Sequence, residues 1–182
     1  MKYAFILLVL IGLCSCTDLN KSDQILSIDE MIVSVDSLQT ILVNNDYTSI
    51  SDYADQANEI DMRIKTNYES DTVDLIFAKK LDAFNIMRKS FDLYKMANNQ
   101  LNIDLEAEKV ILEKLKSDIE KGNGSRDKYP DYIAFEKEKV LKLINSLFEF
   151  CELKENTLQT FNDLYDEINS FSLSLLNKKK IH

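Results

Sequence analysis

The sequence predicts an all-α protein: an elongated bundle of about four helices, with two shorter N-terminal helices packed on a long antiparallel helical hairpin of coiled-coil-like character. Three observations carry this. Chain breakers are scarce, with 3 Gly and 1 Pro in 182 residues, so little interrupts helix propagation. Apolar residues recur at spacings of three and four over most of the length, the period of a one-faced helix. The strongest break, Gly122-Asn123-Gly124-Ser125-Arg126-Asp127-Lys128-Tyr129-Pro130, falls between two long periodic stretches. A hydrophobic content of 45% over this length supports one domain with a real core.

The chain opens on Lys2, a minimal positive segment, followed by the apolar run Tyr3 to Leu13. As a helix that run reaches about 17 Å, too short for a ~30 Å hydrocarbon core. It reads as a signal peptide over residues 1–15 rather than a membrane span. Residues 16–22 then read as a modified cysteine and a short polar tether. A first helix is expected over about 23–44 from Ile28, Met31, Val35, Leu38 and Leu42. The cluster Asn44-Asn45-Asp46-Tyr47-Thr48-Ser49 is a turn. Ile50, Tyr53, Ala57, Ile60 and Ile64 predict a second helix over about 50–69. Asp71 is the expected N-cap of a third helix over about 72–121, and Gly122 its C-cap. Pro130 suits the first turn of a fourth helix over about 130–177. A basic tail, 178–182, follows.

The two long helices carry matched heptads. The third has Phe77, Phe84, Phe91, Asn98, Leu105, Leu112 and Ile119 at steps of seven, and the fourth has Ile133, Val140, Leu147, Lys154, Phe161, Ile168 and Leu175. Folding the chain about Arg126 pairs Ile119 with Ile133, Leu112 with Val140, and so on to Phe77 with Leu175. The polar members, Asn98 and Lys154, fall in one layer. A second set agrees: Met87 with Tyr165, Tyr94 with Leu158, Leu101 with Cys151. Such a hairpin would be about 70 Å long. Two readings of the polar layer stand: it penalises shifted registers, or Lys154 snorkels to water. Leu143, Phe148, Phe150, Ile103, Val110 and Ile111 widen the apolar stripe beyond a two-stranded seam, as in a bundle. The tether and short turns place the start of the first helix at the end opposite the Gly122–Pro130 tip. Apolar surface that the short helices leave uncovered implies a protein partner or self-association.

Composition and motifs exclude several function classes. A net charge of −9 opposes nucleic-acid binding. The one histidine, His182, ends a Lys-rich tail, so a Cys–His or Ser–His nucleophile lacks its base. Repeated Glu-x-x-His pairs and glycine-rich phosphate loops are absent. No cofactor or metal is implied, and the acidic residues read as solvated faces and local pairs, such as Glu136 with Lys139. The chain is read as non-enzymatic. Cys151 is read as a small buried hydrophobe. Lys178-Lys179-Lys180 either touches anionic lipid or complements a helix C-terminus.

Leu13-Cys14-Ser15-Cys16 resembles a bacterial lipobox, with an aliphatic residue three before the cysteine and a small residue just before it. The resemblance implies a diacylglycerol on the Cys16 sulfur, cleavage between Ser15 and Cys16, and acylation of the new amine by a palmitate-type chain. Two or more chains, at ~0.8 kcal/mol per buried CH₂, anchor a protein stably. A redox or metal reading of Cys14 and Cys16 needs partners, and only Cys151 and His182 remain. With its short tether, two shorter helices and Gly-Asn-tipped hairpin, the chain resembles the small helical lipoproteins of Bacteroidota. Asp36-Ser37-Leu38 and Asp71-Thr72-Val73 match that group's Asp-Ser/Thr-aliphatic O-glycosylation pattern, making Thr72 and Ser37 candidate sites. The implied location is the bacterial cell envelope, at the outer membrane, on its periplasmic or surface face. The leading functional expectation is a lipid-anchored interaction or scaffold protein. A holdase-type chaperone and a carboxylate-based enzyme are the alternatives.

Overall fold

In the computed structural model the described backbone covers residues 2–69 and 74–179, and the described side chains are those of 20–69 and 74–177. The fold is all-helical, with no strand among the described residues. Helix α1 spans Lys2–Asn44, α2 spans Ser51–Asn67, α3 spans Leu75–Lys121 and α4 spans Tyr129–Lys179, so three helices are long. Short 3₁₀ turns occupy Tyr47–Ser49 and Arg126–Lys128. Helix α1 continues unbroken through residues 17–22, where the sequence suggested a tether; no glycine or proline lies between Leu13 and Asn44 to stop it.

The helix ends follow local chemistry. The α1–α2 turn is set by Asp46, whose Oδ1 accepts from the Thr48 amide at 2.8 Å. The α3 start is capped by Asp74, whose Oδ1 accepts from the Ile76 amide at 2.8 Å. The cap expected at Asp71 lies outside the described residues, as does Thr72. At the α3 C-terminus the Gly122 amide reaches the Ile119 carbonyl and the Asn123 amide reaches the Asp118 carbonyl. This is a Schellman end, and Gly122 supplies its left-handed φ of 69°.

The chain divides into two compact units: residues 1–41 with 102–145, and residues 42–101 with 146–182. In unit 1, α1 buries Ile28, Met31, Val35 and Leu38, α3 buries Leu105, Leu112 and Ile119, and α4 buries Tyr129 and Val140. Three contacts align α1 with α3: Lys21 Nζ to the Glu120 carbonyl at 2.8 Å, Asp29 to Lys116 at 2.6 Å and Asp36 to Lys109 at 2.6 Å. The α1 numbers rise as the α3 numbers fall, so the two helices are antiparallel, and Lys21 of α1 lies beside the Gly122 turn. This corrects the expectation that the turn stands about 70 Å from Cys16. Lys21 touches Glu120, and five residues of chain span at most about 18 Å. The sequence reading assumed a first helix starting at the far end. The apolar stripe sets which face is buried, but not which way along α3 the helix runs.

Unit 2 has an aromatic core. Phe84, Phe91, Tyr94, Phe150 and Phe161 are buried, with Met87, Ile50, Ile60, Ile168 and Leu175. Helix α2 buries Ala54 and Ala57, small residues that let its backbone approach closely. Tyr53 meets Phe161 edge-on at 5.1 Å, and Tyr68 meets Phe171 at 5.5 Å. Phe91 lies 6.3 Å from Phe161, Phe77 lies 4.5 Å from Phe171, and Tyr94 stacks on Phe150 at 4.2 Å. Phe150, read above as surplus apolar surface, is therefore core.

Candidate functional site

Unit 1 carries the two polar arrangements that stand out. The first is the α3–α4 turn. Tyr129 is buried, and its hydroxyl donates to the Asp118 carbonyl at 3.2 Å and the Asn123 carbonyl at 2.5 Å. Lys21 adds its bond to the Glu120 carbonyl, and Arg126 Nε lies 3.4 Å from the Gly122 carbonyl. Together these groups satisfy carbonyls that a helix C-terminus leaves without partners. They also enclose a cavity of about 330 Å³, lined by Asn20, Lys21, Gln24, Lys121, Gly122 and Arg126 among others. Positive charge at this end complements the α3 dipole.

The second arrangement is a buried charge cluster. Lys139 of α4 places Nζ 2.6 Å from Glu108 Oε2 and 2.7 Å from Glu136 Oε2. The Glu108 side chain is 3% exposed, Glu136 11% and Lys139 31%. Glu108 Oε1 is buried with no hydrogen-bond partner. Burial first, and then the neighbouring Glu136, push the Glu108 carboxyl above the ordinary glutamate range, against the opposing pull of Lys139. Burial pulls the Lys139 ammonium down, but its hydrogen bonds to Glu108 and Glu136 outweigh this and raise it. Glu136 is thus no part of a solvated face. Both glutamates sit inside the apolar stripe, Glu108 between Leu105 and Leu112 and Glu136 between Ile133 and Val140, at spacings of three and four. That spacing was the signal that could have found them.

Both members of the expected polar layer lie in unit 2. Asn98 is buried. Lys154 is half-buried, and its ammonium is held at the α1–α2 turn by Asn45 Oδ1 at 3.2 Å and Ser49 Oγ at 3.0 Å. The buried Tyr94 hydroxyl donates to the Asn45 carbonyl, and burial pushes its acidity well outside the working range. Cys151 is a free, half-buried thiol whose pKa burial raises, which keeps it in the unreactive form. An open groove of about 300 Å³ runs along Ala83, Ile86, Met87 and Ser90 of α3 and Leu153, Asn156, Thr157 and Thr160 of α4.

The remaining sequence candidates are dispersed. Ser37 is exposed on α1, where its hydroxyl donates to the Val33 carbonyl at 2.8 Å. The backbone at Cys16 is helical, while its side chain lies outside the described residues, as do those of Cys14 and Lys178–Lys180; His182 lies wholly outside them. Among the described residues no group of three or more His, Cys, Asp or Glu could hold a metal ion, and no helix is long and apolar enough to cross a membrane. Many large apolar side chains remain exposed, including Ile103 at 62% and Val110 at 64% in unit 1, and Leu93 at 57% and Met96 at 68% in unit 2. No protein-family pattern, curated protein or solved structure matches the chain.

Proposed function

We propose that this chain is a lipid-anchored helical protein of the bacterial cell envelope, akin to the small helical lipoproteins of Bacteroidota, with a non-catalytic interaction or scaffold role. The observation that carries the interaction role is the apolar surface left in the open. In unit 1, Ile103 and Val110 lie seven residues apart on α3 and are more than half exposed, opposite a stripe that is already filled by Leu105, Leu112 and Ile119. The anchor rests on the sequence Leu13-Cys14-Ser15-Cys16. The proposed arrangement of α3 and α4 is the antiparallel hairpin. In unit 2 the pairs Phe77–Phe171, Lys80–Glu167, Phe91–Phe161 and Tyr94–Phe150 support it, because one number rises as the other falls. The pairs Tyr129–Asp118 and Lys139–Glu108 support it in unit 1.

With Cys16 acylated, the Lys21–Glu120 contact brings the Gly122 turn to the membrane side of unit 1. The partner surface is then sought along α3 rather than at that turn. The test is photo-crosslinking in cells, with the crosslinker at Ile103, Val110 or Ser125. A discrete adduct from Ile103 and Val110 and none from Ser125 supports the reading; no adduct from any position sinks the interaction role. Metabolic acyl labelling that survives Cys16→Ser sinks the anchor. Suppression of client aggregation by the purified protein, without a discrete adduct, would move the reading to a holdase.

A further inference from the structure

We propose that Glu108 binds a proton beside Glu136 and Lys139, making unit 1 a proton-binding element that becomes more stable on acidification. The geometry sets the charge balance. Two carboxylates converge on one ammonium, at 2.6 Å and 2.7 Å. With both ionised, the cluster carries one uncompensated negative charge, and Glu108 holds it in a side chain 3% exposed. An isolated charge so placed is costly, and the group takes a proton instead. The acceptor is visible: Glu108 Oε1 is buried and bonded to nothing. Glu136 meets the same ammonium, so its carboxyl stands beside that of Glu108. A proton on one carboxyl turns that contact from repulsion into an O–H···O⁻ bond, and leaves Lys139 facing one net negative charge.

The other charges around Glu108 are accounted for. From α4 only Lys139 and Glu136 act on it. From α1, Asp36 is engaged by Lys109, the residue next to Glu108. Asp29 of α1 is taken by Lys116 in the same way.

The sign follows from proton counting. In the unfolded chain Glu108 titrates as an ordinary glutamate, at about 4.3. In the folded chain its value is raised. Between the two, the folded state holds one proton more than the unfolded state. Stability therefore falls as pH rises through that window and is regained on acidification. A full proton corresponds to a tenfold change in the unfolding equilibrium constant per pH unit.

The experiment uses the full chain. Side-chain carboxyl carbons are followed by NMR from about pH 4 to about pH 8, a range that brackets ordinary and raised glutamates. Urea unfolding is measured over the same range for wild type, Glu108→Gln and Glu136→Gln. The Glu108 carbon is expected to titrate with a midpoint above the ordinary glutamate range. Glu108→Gln, whose amide mimics the protonated acid, should remove up to a tenfold-per-unit component of the pH dependence and be no less stable than wild type at neutral pH. Glu136→Gln should return Glu108 toward the ordinary range. A Glu108 carbon that titrates in the ordinary range overturns the proposal, as does Glu108→Gln unfolding with a pH dependence parallel to wild type. If a variant does not fold, the wild-type titration decides.

Discussion

The two units solve the same packing problem with different materials. Unit 1 fills its core mainly with aliphatic side chains, Tyr129 apart, and admits Glu108, Glu136 and Lys139 among them. Two further ion pairs, Asp29–Lys116 and Asp36–Lys109, run along its α1–α3 flank. Unit 2 fills its core with rings, in which Phe161 alone meets Tyr53, Phe91 and Tyr165. Ring packing depends on volume and is indifferent to protons. A buried charge cluster depends on protons. The two halves of one helical chain should therefore respond to different perturbations.

Five substitutions would break or sharpen that contrast. Phe161→Ala should have the largest effect, a loss of about 3–5 kcal/mol, seen as a lower urea midpoint and equal at acid and neutral pH. A loss that varies with pH would contradict the volume account. Lys139→Met should cost about 2–3 kcal/mol at neutral pH, less than a fully buried pair because Lys139 is partly open. That cost should shrink as pH falls, since both carboxyls can then be neutral. Hydrogen exchange should place this loss in residues 20–41 and 102–145, and spread over residues 42–101 would speak against the division into units. Gly122→Ala should cost about 1–2 kcal/mol, because φ is 69° and a new Cβ would lie 2.3 Å from the Arg126 guanidinium. Tyr94→Phe should cost about 1 kcal/mol through the lost bond to the Asn45 carbonyl. Lys109→Ala removes only an exposed pair and should leave the midpoint within error.

Much of the buried stripe was legible because period is written in sequence: Phe84, Phe91, Leu105, Leu112, Ile119, Val140, Leu147, Phe161, Ile168 and Leu175 are buried, while Phe77 and Ile133 are half-buried. The Gly122 cap was legible because few residues accept that φ. The Glu136–Lys139 pair was legible from its spacing of three, but the burial of Glu108 and Glu136 was not, because residue type outweighed position although both lie in the stripe. Lys154 could not be placed, because its partners Asn45 and Ser49 come from a turn whose position depends on tertiary packing. The direction of α1 was hidden for the same reason.

The Lys21–Glu120 contact also sets a timetable for synthesis. It joins residues 99 apart in sequence, and Asp29–Lys116 and Asp36–Lys109 join residues 87 and 73 apart. Closing such long loops delays folding. As the chain emerges, Ile28, Met31, Val35 and Leu38 are made early, but their α3 and α4 neighbours in unit 1 lie beyond residue 101. For that interval these apolar residues lack the partners of their own unit, a state that exposes a nascent chain to aggregation.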